Sequence, residues 1–177
     1  METNIETVEP LKKPPNLSKD ILRLLAKIGI ISIVFILLFT FVFGWMRYQD
    51  NSMSPAIKNG DMVLYYRLDK KLVATDVVVL EYEGKKQIRR VVAVAGDTID
   101  ITEDGLFING SLQQELAIYT ETLPYVEGIN FPVTLQENEV FLLADNRTSA
   151  IDSRMYGPVN TSDILGKVIS IFRRRGI

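Results

Sequence analysis

The chain has 177 residues and a formal net charge of −2, with 47% hydrophobic and 24% charged residues. This composition excludes a disordered chain, and it lacks the basic excess that would indicate a nucleic-acid partner. The chain contains no cysteine and no histidine, which excludes disulfides, thiol catalysis, histidine metal sites and imidazole bases. We therefore expect no cofactor, and any general base must be a lysine, a carboxylate, a tyrosine, a terminus or water.

An uncharged apolar segment spans residues 28–46. As a helix rising about 1.5 Å per residue it would be roughly 28 Å long, close to the hydrocarbon thickness of a bilayer. The apolar run is longer than that of a cleaved signal peptide, and no small-residue cleavage site follows it. The sequence therefore predicts a tail over 1–27, a single anchor in the lipid bilayer over 28–46, and one further domain over 47–177.

The charges beside this segment predict its orientation. Lys19, Arg23 and Lys27 precede it, whereas only Arg47 lies close behind it. Because the more positive side of a membrane segment stays in the cytoplasm, we expect a single-pass protein of the cell membrane. Its N-terminus would be cytoplasmic and its C-terminal domain extracytoplasmic.

The C-terminal domain has the pattern of antiparallel β structure, so the predicted fold class is mainly β after one N-terminal helix. Short β-rich runs are separated by turn signals, of which Asp104-Gly105 and Asn109-Gly110 predict hairpins. Residues 112–138 are polar and aromatic, and we expect a small loop-rich cap with one or two weak strands there. The predicted strands lie within 61–68, 76–82, 87–96, 98–110, 139–144 and 166–174.

Four sequence blocks follow the apolar segment in a fixed order. They are NSMSPAI from Asn51, NGDMVL from Asn59, IRRVVAVAGD from Ile88 and ADNRTSAIDSR from Ala144. Together they resemble the type I signal peptidases, membrane-bound serine endopeptidases that remove signal peptides from exported proteins. The resemblance extends from about residue 20 to the C-terminus and looks like the compact Gram-positive forms. It implies a β domain of the signal peptidase type.

By this resemblance, Ser52 occupies the position of the nucleophile, and Met53 and Pro55 fix the turn that presents it. The backbone N–H of Ser52 would form part of an oxyanion hole for the substrate carbonyl. A serine hydroxyl is a weak nucleophile and needs a base. In the family, a lysine whose pKa is lowered by burial supplies that base.

The position of that lysine is where the sequence departs from the family. Arg89 stands there, and Arg90 matches the family arginine that follows. A guanidinium keeps its proton in proteins, with a pKa above about 12, so Arg89 cannot accept the proton of Ser52. A serine that usually orients the lysine is replaced by Ala150, and the adjacent Ser149 would face another direction.

Three other side chains are candidates for a replacement base. Lys85 is expected on the same strand face as Arg89 but about 13 Å away along the strand, and Lys86 on the opposite face. Both fit a solvated hairpin tip better, and whether either one substitutes as the base stays open. Asp50 is near Ser52 in sequence, but a solvated carboxylate of pKa about 4 is a poor base for a hydroxyl.

The last block is interpreted as scaffold. By resemblance, its side chains brace the site through buried ion pairs and hydrogen bonds, and removing one partner of such a pair is strongly destabilising. Its carboxylates could suggest a metal site, but the arginines beside them supply the counter-charge, so we expect no metal. The basic run 173–175 is expected to be a solvated chain end. The expected scaffold residues are Met53, Pro55, Arg90, Asp145, Asn146, Arg147, Ala150, Asp152, Ser153 and Arg154.

Two functions follow from the sequence. In the favoured one, the chain binds extended segments of exported precursors at the outer membrane face, with peptidase activity impaired because Arg89 replaces the lysine base. By resemblance to relatives in Gram-positive pilus clusters that lack catalytic residues, the partners would then include pilins during their assembly. The alternative is an active type I signal peptidase with Ser52 as its nucleophile. The oligomeric state is not predicted.

Overall fold

The computed structural model describes residues 17–116, 118–148 and 150–173, and the chain divides into two units, Met1–Leu38 and Phe39–Ile177. Helix α1 covers Leu17–Leu37 and continues as a π-helical turn over Leu38–Val42. The resulting helix, Leu17–Val42, has 26 residues and a mean hydropathy of 2.6. Within the described residues it is the one helix long and apolar enough to cross a membrane.

After the π-helical turn, the described part of the second unit contains eleven strands and two short helical turns. Seven strands form one antiparallel sheet in the order β1-β2-β11-β3-β4-β9-β10, and the other four form a second antiparallel sheet in the order β7-β6-β5-β8. The strands are β1 Phe43–Arg47, β2 Met62–Tyr66, β3 Val77–Tyr82, β4 Lys85–Val94, β5 Thr98–Thr102, β6 Gly105–Ile108, β7 Ser111–Leu112, β8 Val133–Thr134, β9 Glu139–Leu143, β10 Val159–Asn160 and β11 Ile164–Phe172. The helical turns are α2, Ser153–Tyr156, and a 3-10 turn, Thr161–Asp163.

The predicted strands are all present, and the turns between them agree to within a residue. Asn109 and Gly110 have φ angles of 52° and 76°, which the mirror-image turn of a tight hairpin requires. The other predicted hairpin turn lies one residue earlier than expected, because β6 already begins at Gly105. Neither α2 nor the 3-10 turn was predicted, since each is too short to show helical periodicity.

The structure differs from the sequence prediction at the C-terminal end of the apolar segment. The helix, which starts at Leu17 ahead of the uncharged run, ends at Val42, and residues 43–46 of the predicted anchor belong to strand β1. Gly44 lies opposite Tyr65 of β2, and a Cβ on Gly44 would come within 2.2 Å of the Tyr65 ring. Residues 43–46 are therefore a strand because they pair with β2, and hydropathy alone does not predict such pairing.

Buried side chains of one core cluster hold the segment that carries Ser52. Tyr48, Met53 and Ile57 pack in one cluster with Ile88 of β4, and Ala150 lies in the same cluster. A β-bulge in the pairing of β4 with β9 falls between Val91 and Ala93, after the Arg89 position. The register of Arg89 is therefore that of a regular strand, paired directly with Val78 of β3.

Candidate active site

A turn after β1 presents Ser52. The amide of Ser54 donates to the carbonyl of Asn51, and the amide of Ile57 donates to the carbonyl of Met53. Met53 is fully buried and anchors the turn in the core, while Pro55 is exposed and follows a cis peptide bond. Ser52 itself is only 7% exposed, so its position is fixed by the packing beneath it.

The Ser52 hydroxyl is hydrogen-bonded on every side. Its Oγ accepts from Nη1 of Arg89 at 2.9 Å and donates to Oδ2 of Asp50 at 2.7 Å. The Tyr48 hydroxyl lies 2.8 Å from the same oxygen and itself accepts from the Met53 amide. Because the one hydroxyl proton of Ser52 goes to Asp50, Tyr48 donates to Ser52, and both lone pairs of Oγ are engaged by donors.

Arg89 is locked beside Ser52 by its own hydrogen bonds. It is 2% exposed, and its Nε and Nη2 donate to the carbonyl of Ile151 at 3.1 and 2.7 Å. Its Nη1 also donates to the carbonyl of Ile88 at 2.6 Å. The structure thus brings Arg89 into contact with Ser52, which the sequence left open, and it places Ala150 next to the Arg89 anchor at Ile151. Ser149 lies outside the described residues.

Asp50 accepts backbone hydrogen bonds that were not predicted from the sequence. Its Oδ1 accepts from the backbone N–H of Ser52 at 2.9 Å and from that of Asn51 at 2.5 Å. Burial opposes ionisation of this carboxyl, but the hydrogen bonds from Ser52 and Asn51 and the charge of Arg89 outweigh it. They hold the pKa of Asp50 below its usual range, so Asp50 is a weaker base than a solvated carboxylate. The Asp50 carboxylate also accepts the hydrogen bond of the Ser52 N–H, which an oxyanion would need to find free.

Tyr48 is a poor base for a different reason. Burial raises the pKa of its phenol above the ordinary value, and the nearby Asp50 charge adds to this. Tyr48 therefore stays protonated at physiological pH and acts as a hydrogen-bond donor. Its contribution is to hold the hydroxyl of Ser52 and the amide of Met53 in place.

An ion pair and a backbone hydrogen bond connect the end of β9 to β4 and to the Ser52 turn. Arg90 makes two parallel hydrogen bonds to Asp145, Nε to Oδ1 at 2.8 Å and Nη2 to Oδ2 at 2.6 Å. The backbone amide of Asn146 donates to the carbonyl of Ser52 at 2.8 Å. Asp145 and Asn146, just after β9, thus link the end of this strand to Arg90 and to the Ser52 turn.

A second set of contacts links this region to the loop that the sequence assigned to a cap. Arg154 and Asp152 form a buried pair at 2.9 Å, and Arg154 lies 4.2 Å over the ring of Tyr125. Arg147 is buried and pairs with Glu115 at 2.5 Å. The Oγ of Ser153 accepts from the amide of Leu142 at 3.0 Å. These contacts fit the predicted scaffold, whose role in activity stays a prediction.

Arg173 is exposed, as expected for a solvated chain end, but it also makes a contact that the sequence did not predict. Its guanidinium donates to the buried carboxylate of Asp61 at 2.8 Å and to the carbonyl of Ala56 at 3.0 Å. A carboxylate that loses its water on burial attracts a cation even from a chain end. Arg173 therefore helps to hold the loop after Ser52, while residues 174 and 175 lie outside the described residues.

A cleft of about 690 Å³ opens beside the Ser52 turn, lined by residues 46–50 and 85–87. Lys85 and Lys86 are exposed there, as a hairpin tip predicts. β4 pairs with β9 only from Arg90 onward, so within the described residues the β9-side edge of 85–89 has no strand partner. On the other wall, the outer edge of β1 also has none among the described strands.

Residues 21–173 match the family model described as signal peptidase, peptidase S26. The chain belongs to the peptidase S26 family. It is 30% identical to Signal peptidase I P of Bacillus subtilis subsp. natto, over 72% of this chain and 75% of that one. It is 25% identical to Signal peptidase IB of Staphylococcus aureus strain COL, over 86% of this chain and 89% of that one. A crystal structure of a signal peptidase I from Enterococcus faecalis V583 matches with a TM-score of 0.45 and 23% identity, over 56% of this chain and 97% of that one.

Membership of the peptidase S26 family indicates the class of substrate and the attachment to a membrane. Signal peptidases act on exported precursor proteins, and the apolar N-terminal helix together with these relatives indicates a membrane-anchored protein. The resemblance drawn from the four sequence blocks is confirmed.

Two residues of this signal peptidase family site escaped the sequence reasoning. Asp50 was weighed only as a base, although an aspartate that accepts from the amide two residues later is a common local turn motif. That spacing to Ser52 was a usable signal. Tyr48 gave none, because its contact with Ser52 depends on which way the ring points from the end of β1.

Proposed function

We propose that this signal peptidase family member binds extended segments of exported precursors and that its peptidase activity is impaired. The carrying observation is the 2.9 Å hydrogen bond from Arg89 to the Oγ of Ser52. A guanidinium keeps its proton in proteins, so it can only donate in this contact. The side chain at the base position therefore holds the nucleophile without being able to deprotonate it.

The contacts of Asp50 support the same conclusion independently. An oxyanion hole works by N–H groups that are free to meet a developing negative charge. Here the Ser52 N–H already donates to a carboxylate, and that carboxylate would repel an oxyanion at the same place. The base and the oxyanion donor are both compromised, by two different side chains.

The strand edges along the cleft support the binding role. A peptide in extended conformation can add to an unpaired sheet edge through main-chain hydrogen bonds. Residues 85–89 of β4 and the outer edge of β1 offer two such edges beside one cleft. Binding of this kind needs neither a base nor an oxyanion hole.

The proposal includes a membrane topology and a class of partner. Lys19, Arg23 and Lys27 lie before the apolar part of the helix, which supports a cytoplasmic N-terminus and a domain at the outer face. The pilin role predicted from the resemblance stays a prediction, because the described residues carry no feature that distinguishes a pilin from another exported precursor.

The test uses the full chain in a non-ionic detergent with a fluorescent precursor peptide that spans a signal-peptide cleavage site. We expect binding without cleavage, both for the wild type and for Ser52→Ala. A peptide with N-methylated backbone amides at alternate positions should bind more weakly, because it loses main-chain donors. Signal peptidase I P of B. subtilis serves as the positive control for cleavage.

The alternative, an active signal peptidase, makes the opposite prediction. The wild type would cut the precursor, Ser52→Ala would not, and an unrecognised base would have to exist. That result would show the impaired-activity proposal to be wrong while leaving the binding groove in place.

A further inference from the structure

We propose that the cleft selects an acidic extended segment, with two neighbouring carboxylates placed three to four residues from the position that faces Ser52. This inference rests on the proposed peptide-binding function and adds the chemistry of the preferred ligand. It is carried by the charges along the cleft walls.

Three of the four charged residues that line the cleft are cations, namely Arg47, Lys85 and Lys86. All three are exposed, and within the described residues their side chains make no hydrogen bond or ion pair. Glu81, the cross-strand neighbour of Lys86 on β3, forms none with it. These cations are therefore available to a ligand.

The single anion on the cleft walls does not offset them. Asp50 accepts hydrogen bonds from Ser52 and Asn51, and the buried guanidinium of Arg89 lies against the same hydroxyl. Its charge is thereby compensated within the protein. The cleft as a ligand meets it carries a positive excess, although the chain as a whole has a net charge of −2.

The geometry of β4 says where the ligand's carboxylates belong. Successive side chains of a strand point to opposite faces, so Lys85 and Lys86 lie on different faces of the sheet. A peptide added beside this edge has the same alternation, and its opposing side chains lie about 5 Å from those of β4. Two consecutive acidic residues can then meet one lysine each, while Arg47 contributes from the other wall.

The distance from Ser52 follows from the same strand. Lys85 and Lys86 precede Arg89 by four and three residues, which is roughly 10–13 Å along a strand. An acidic pair at that offset matches the lysines, and a pair moved to the far end of the peptide does not.

The expected effect is moderate, because exposed ion pairs are weak. Each such pair changes a dissociation constant by up to about fivefold, so the peptide with a Glu-Glu pair should bind about tenfold more tightly than its Gln-Gln analogue at low salt. Since charges are screened within about 3 Å at 1 M salt, the difference should nearly vanish there.

The experiment measures fluorescence anisotropy of Glu-Glu, Gln-Gln and Lys-Lys peptides with identical flanks, on the full chain in non-ionic detergent. Lys85→Glu and Lys86→Glu should each weaken the Glu-Glu peptide and strengthen the Lys-Lys peptide. Lys71→Glu is the matched control, since Lys71 is exposed in the loop before β3, at the opposite end of that strand from the Lys85 hairpin.

Three outcomes are distinguishable. Selective loss of the acidic preference in Lys85→Glu and Lys86→Glu supports the inference. Equal binding of the Glu-Glu and Gln-Gln peptides, or an equal loss in Lys71→Glu, overturns it and leaves the proposed function standing. If no extended peptide binds, the proposed function fails, and the acidic preference fails with it.

Discussion

Replacing Arg89 by lysine together with Asp50 by alanine is expected to convert the site into a working peptidase. The lysine amine would lie within about one bond length of the guanidinium nitrogen that now contacts Ser52. Its environment is buried, so desolvation would lower its pKa toward neutrality. Removing Asp50 deletes the counter-charge that would keep the amine protonated, and it frees the N–H groups of Ser52 and Asn51.

The size of the expected gain in cleavage rate follows from the two functions that the site lacks, a general base and a free oxyanion donor. A positioned general base contributes about 10²–10⁴-fold, and one oxyanion donor about 10²–10³-fold. Because both residues contact Ser52, their effects are not additive. We expect Arg89→Lys alone to gain less than about tenfold, since Asp50 would still pair with the ammonium, and Asp50→Ala alone to gain nothing. The double variant should exceed the wild type by at least about 100-fold.

The assay is single-turnover cleavage of a precursor, measured as a function of pH. Activity of the double variant should rise with pH as the lysine loses its proton, which a merely structural effect would not produce. Arg89→Lys with Asp50→Asn is an informative control, because the asparagine oxygen can still accept from the Ser52 amide without carrying a charge. Adding Ser52→Ala should abolish all activity.

A double variant that stays inert while it folds and binds peptide like the wild type would contradict this expectation. The suppression of hydrolysis would then lie elsewhere, with Ala150 as the next position to restore to serine. A wild type that already cleaves as fast as the double variant would contradict the expectation equally.

Two further predictions concern stability, both measured as urea unfolding midpoints of the full chain in detergent. Asp152→Asn leaves the buried Arg154 without its counter-charge, which should cost about 3–5 kcal/mol, and a midpoint like that of the wild type would contradict this. Arg173→Gln removes the hydrogen bond that chiefly holds the pKa of Asp61 below 3.8. A lowered folded-state pKa stabilises the fold above the ordinary pKa, and this is lost as pH falls through the lowered value. The difference in unfolding midpoint between the variant and the wild type should therefore be constant between about pH 8 and 5 and shrink below about pH 4. A difference that stays constant down to about pH 3 would argue against the ion pair.

The strands and the family could be predicted because both depend on short stretches of sequence. Alternating apolar residues and turn pairs such as Asn109-Gly110 specify their local conformation by nearest-neighbour sterics. The blocks around Ser52, Arg89 and Asp145 are likewise contiguous, so the substitution at the base position is visible in the sequence itself.

The end of the helix could not be predicted in this way. Residues 43–46 carry no charge, like those before them, so the uncharged segment continues through them. They form β1 because Gly44 lets the Tyr65 ring pack across the strand. Pairing between segments distant in sequence overrides local preference when the partner edge is available.

By itself, the sequence determined that an apolar segment precedes a β domain and that no lysine stands at the base position. Only the tertiary structure decided that Arg89 points at the Ser52 hydroxyl from 37 residues away. It also decided that the Asp50 carboxylate caps the Ser52 amide and that Arg173 reaches Asp61. The physical reason is that a hydrogen bond depends on the direction of a side chain and the position of its partner, and both are set by how strands pack.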